Sequence, residues 1–73
     1  MTMTPELLRQ VGLALYGTRW PKAMGAALGV SRSTAHRWIN GENPIPANVP
    51  ERLCQAINSR RAELTVLALR LRE

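Results

Sequence analysis

The sequence has no phenylalanine, one tyrosine, one cysteine and one histidine. With so few aromatics beside two tryptophans, its core must be aliphatic, built from Leu, Ala, Val, Ile and Met. The lone Cys54 excludes an internal disulfide, and the lone His36 excludes both a Cys/His metal site and a Ser-His-Asp arrangement. A chain of 73 residues forms one domain with a small core, and with no staple available a partner subunit is the remaining source of stability. The five acidic residues, Glu6, Glu42, Glu51, Glu63 and Glu73, show no paired-carboxylate spacing, and no phosphate loop occurs, so the chain reads as neither an enzyme nor a cofactor carrier. No catalytic residue, metal ligand, cofactor or small-molecule substrate is expected. No apolar run approaches membrane length, and the start "MTMTPELLRQ" lacks the basic region and apolar stretch of a signal peptide. The expected location is the cytoplasm, away from any membrane.

Negative charge is missing from one half of the chain in particular. Between Leu7 and Gly41 lie Arg9, Arg19, Lys22, Arg32 and Arg37 with no acidic residue, whereas from Glu42 to Glu73 five arginines face four glutamates. Segregated basic charge is the electrostatic footprint of a surface that meets a polyanion. Unpaired RNA is a poor candidate, because the chain lacks the aromatic platforms on which loose bases stack, and the groove of duplex RNA is too narrow for a helix.

The pattern of helix starts and stops is dense. Thr4-Pro5-Glu6 provides a cap, a first-turn proline and a charge that complements the helix dipole, and Leu7, Leu8, Val11 and Leu15 follow at helical spacing until Gly17. Trp20-Pro21 opens a second helix whose inward positions are Ala23, Met24, Ala27 and Leu28, with Gly29 as its stop. Val30 fills the bend and Ser31 caps a third helix that runs to about Asn40 before Gly41. Ala35 and Trp38 face inward with Thr34 at the margin, while Arg32, Ser33, His36 and Arg37 occupy the outer faces. After the proline-rich "ENPIPANVPERL", Asn48 is the expected cap of a fourth helix, with Glu51 as its capping-box partner. Cys54 reads as a small buried hydrophobe. Leu53, Ile57, Leu64, Leu67, Ala68 and Leu71 continue an apolar stripe, with Asn58-Ser59 as a soft spot.

The stretch "AMGAALGVSRSTAHRWINGENPIP" resembles the helix-turn-helix domains of the phage Cro and CI repressor type: a small-residue pair, Leu28-Gly29-Val30-Ser31, Arg37-Trp38 and Asn40-Gly41 stand at the family's spacing. The likeness is close over residues 20–46 and loose in the flanking helices. It implies an all-α, lambda-repressor-like bundle of four to five helices with a long C-terminal helix. It also implies binding to double-stranded DNA through the helix 31–40, and transcriptional regulation, usually repression, by a dimer. Small regulators of this kind often control their own operon in phages or mobile elements. By position, Arg32, Ser33 and Arg37 resemble the family's base readers, with His36 beside them, while Ser31, Asn40 and the start of helix two resemble its phosphate contacts. One departure is Pro21, which stands where many members have a glutamine that touches the backbone; Arg19, Trp20 and Lys22 are the substitutes at hand.

Two classes of function survive: a sequence-specific DNA-binding regulator, and a protein-interaction module such as an antitoxin-like partner in which DNA binding is secondary. Residues 60–73 are expected to form a helical extension for homodimerisation. Leu64, Leu67, Ala68 and Leu71 share one face and Val66 and Leu69 lie nearly opposite, so one small core cannot cover both. A dimer would place two recognition helices in successive major grooves of a palindromic operator.

Overall fold

The Thr4 hydroxyl accepts a hydrogen bond from the Leu7 amide at 3.1 Å, and the first helix, α1 (Pro5–Tyr16), begins at Pro5. In the computed structural model, which describes residues 3–73, a one-turn 3-10 helix (Gly17–Arg19) follows, then α2 (Trp20–Leu28), α3 (Arg32–Ile39) and α4 (Val49–Leu71). Residues 1 and 2 of the span expected as one domain lie outside the described part. No strand occurs among the described residues, and the fold is all-α.

The core gathers one stripe from each helix: Leu8 and Leu15 of α1, Trp20, Met24 and Leu28 of α2, Ala35 and Trp38 of α3, and Val49 and Leu53 of α4. Trp20 is the largest joint. Its ring lies against Gly12 of α1, where any Cβ would overlap it, so the absence of a side chain at Gly12 lets the two helices close on the indole. Buried apolar area of this size is the dominant favourable contribution in so small a domain.

Helix α4 departs from the rest. Its first turns are anchored by Val49 and Leu53, but every residue from position 58 onward is exposed. The helix crosses Asn58-Ser59 without a break and runs for 23 residues, about 34 Å at the usual rise. It accounts for the elongated outline of 49 × 25 × 20 Å.

Several expectations are corrected by this packing. Ala27 is exposed, and Gly25 is buried beside Met24 instead, because the backbone of Val30 and Ser31 folds back too closely for a side chain there. Leu7 is 44% exposed, since Leu8 takes the central place beneath Trp20 and Met24. Cys54 is exposed: it follows Leu53, which points into the core, and the next residue on a helix is turned well away. Asn48 stands at the cap of α4 but in a helical conformation, φ −83° and ψ −9°, and its side chain makes no capping bond. A capping residue needs an extended backbone to reach back to the amides, so the box with Glu51 does not form.

The Gly12 contact yields a first prediction. Gly12→Ala should lower stability by about 1–3 kcal/mol through overpacking against Trp20, measured by urea denaturation, with Leu13→Ala on the exposed side of α1 as the near-neutral control.

Candidate nucleic-acid interface

The segment between α2 and α3 is three residues long and closely specified. Gly29 ends α2 in the left-handed conformation, φ 74° and ψ 27°, and the Val30 amide donates to the Gly25 carbonyl at 2.8 Å. The chain folds back so tightly that a Cβ on Gly25 would stand 2.9 Å from the Val30 carbonyl oxygen. Ser31 then caps α3: its Oγ accepts from the Thr34 amide at 3.1 Å and lies 3.0 Å from the Thr34 hydroxyl. Ala35 and Trp38 bury the inner side of α3, which leaves its outer side no freedom to turn.

That outer side carries the charged and polar groups. Arg32, Ser33 and Arg37 are exposed and His36 is half-buried; on a helix these four positions lie together, away from Ala35 and Trp38. The Arg32 Nε donates to His36 Nε2 at 3.5 Å, a long contact that runs along the helix surface. Arg32 and His36 also border a concavity of ≈ 390 Å³ whose other wall is Thr18, Arg19, Pro21 and Lys22. Four nitrogen-bearing side chains, from α3, the start of α2 and the 3-10 turn before it, therefore share one hollow.

The site residues foreseen from sequence divide accordingly. Arg19, Lys22, Arg32 and His36 meet in the hollow, with Ser33 and Arg37 exposed on the same helix. Asn40, the C-terminal cap of α3, is exposed at the far end of that helix. Ser31 is engaged as the α3 cap. Trp20 is corrected: it is 5% exposed and belongs to the core, so it is unavailable for a phosphate and leaves Arg19 and Lys22 beside Pro21.

A further residue was not foreseen. Arg52 of α4 donates from Nη1 to the Leu28 carbonyl at 2.9 Å and from Nη2 to the Ala27 carbonyl at 3.3 Å. These carbonyls close α2, where the helix dipole is negative and a cation is favoured. Arg52 thus ties α4 to the end of α2 immediately before the turn. In the sequence it is one arginine among several in a charge-balanced half, and only the approach of α4 to α2 reveals its task.

The expected dimerisation residues are all exposed: Leu64 by 54%, Val66 by 56%, Leu67 by 44%, Leu69 by 59% and Leu71 by 87%. No group of three or more potential metal ligands occurs among the described residues, and no helix is long and apolar enough to cross a membrane. No protein-family profile, curated protein or solved structure matches the chain.

Arg52 supplies a second prediction. Arg52→Ala should cost about 1–3 kcal/mol of stability, seen as a lower thermal midpoint, because charge-assisted bonds to the end of α2 are lost.

Proposed function

We propose that this protein is a sequence-specific, double-stranded DNA-binding regulator of the lambda-repressor-like helix-turn-helix type, with α2 and α3 as the two helices of the motif. The observation that carries the reading is the outer side of α3. Arg32, Ser33 and Arg37 project from a helix capped at Ser31 and pinned by Ala35 and Trp38, beside a hollow that adds Arg19 and Lys22. An exposed α-helix of this width fits the major groove of B-form DNA, where arginine pairs bidentately with guanine and serine bonds to several bases. Arg19 and Lys22 are, on this reading, the cations that meet the phosphate backbone, which provides affinity and orientation. Acidic residues are absent from Leu7 to Gly41, so α2, α3 and the turn between them carry positive charge only.

Eight residues of α3 span about 12 Å and reach only a few base pairs, so a dimer on a palindromic site is part of the proposal. The exposed apolar end of α4 supports it. On this reading the protein works in the cytoplasm as a repressor, with control of its own operon as one setting. A second reading, an antitoxin-like interaction module, is favoured by the same apolar residues of α4; a salt-sensitive shift of duplex DNA by the protein alone separates the two.

The test begins with selection of bound duplexes from a random library, followed by titration of the selected and a scrambled sequence. Arg37→Ala should cost about 1–3 kcal/mol on the selected duplex and relax preference at one position. Lys22→Ala should weaken both duplexes alike and reduce the salt slope by about one. Equal losses on both sequences for Arg37→Ala would remove it from base reading.

A further inference from the structure

The inward stripe of α4 does not stop where the core stops. Leu53 is buried and Ile57 half-buried, yet Leu64, Leu67 and Leu71, at the same helical face, stand in solvent. Beside them α1 contributes a wall, so that Leu7, Val11, Ala14, Ile57, Leu64 and Ala68 line an open, mainly apolar groove of ≈ 600 Å³ with Arg60 and Arg61 also on its wall. A groove and an apolar ridge on one face form a self-complementary surface, as a two-fold contact requires.

The order of residues specifies how two such faces meet. Ile57, Leu64 and Leu71 recur every seven residues, as do Leu53, Arg60 and Leu67, which makes a coiled-coil seam interrupted by one arginine. Glu63 and Arg70 flank this seam on the same side. In a parallel pairing each core position meets its own copy, so Arg60 would be pressed against Arg60 of the second chain, and Glu63 and Arg70 would find no opposite charge. In an antiparallel pairing, same-side flanks meet. Glu63 then lies beside Arg70 of the second copy twice over, Leu64 opposes Leu67, and Arg60 lies beneath Leu71 with its aliphatic stem.

We infer that a second copy of this chain lays its own α4 antiparallel along the α4 seam that borders the α1–α4 groove, in the register that pairs Glu63 with Arg70 across the two-fold axis. The inference rests on the dimer of the proposed function and specifies its interface; it does not depend on the DNA reading. Val66 and Leu69 fall outside the seam and are not part of the contact.

The experiment is sedimentation equilibrium of the full chain over a concentration series, with four variants. Leu64→Glu/Leu67→Glu should weaken association at least about tenfold, since two apolar contacts are replaced by charges facing the seam. Val66→Glu/Leu69→Glu should leave it unchanged. Glu63→Arg should weaken it about three- to tenfold, from two exposed ion pairs lost and two repulsions made. Adding Arg70→Glu to that variant should restore it. Within one chain these two residues are two turns apart, about 10 Å along the helix, so restoration reports a contact between chains. A dimer that is indifferent to Leu64→Glu/Leu67→Glu, or that the double charge swap fails to restore, overturns this interface while leaving a dimer standing. A chain that stays monomeric throughout overturns the interface and the dimer together.

Discussion

The close approach of the Val30 carbonyl to Gly25 fixes where α3 begins relative to α2, and the candidate interface depends on that spacing. With no side chain at Gly25, the turn closes through a bond from Val30 to the Gly25 carbonyl, and Gly29 accepts the left-handed backbone that the closure demands. Ser31 then starts α3 at once. A longer or looser connection would leave the same arginines on a helix of variable direction. Here the direction is set by backbone geometry before any side chain on the outer face has a role.

The remaining contacts hold that unit from behind. Trp38 and Ala35 press α3 onto the core, Trp20 locks α2 against the notch at Gly12, and Arg52 reaches from α4 to the last carbonyls of α2. The burial of Trp20 also has an electrostatic consequence. It pulls the start of α2 inward, so its neighbours Arg19 and Lys22 border the hollow with Arg32 and His36. Packing and charge placement are therefore one arrangement: the residue whose ring is buried against Gly12 stands in the sequence between the two cations that border the hollow.

Much of this was legible in the sequence because the signals were local. Thr4, Pro21, Gly29 and Ser31 act through the backbone of their own turn, and each marks a helix end where it stands. Ala35 and Trp38 followed from helical spacing. What escaped was non-local. Trp20 next to Arg19 at a helix start fits either a surface contact or a core anchor, and only Gly12, from a different helix, decides. Arg52 looked like surface charge until α4 met α2. Cys54 and Asn48 failed for a rotational reason: both stand at the start of α4, where a modest turn about the axis or a change in one backbone angle moves a side chain from core to solvent or away from the amides.

The central claim is that the outer side of α3, with the start of α2, is the surface that meets DNA. Its most direct test is a titration of isotope-labelled protein with a library-selected duplex, followed through backbone amide chemical shifts. The largest changes should fall on residues 31–40 and 18–22, with arginine side-chain signals of Arg32 and Arg37 shifting in step. Changes confined to α1 and the exposed half of α4, or none at all at DNA concentrations that saturate the electrophoretic shift, would contradict it.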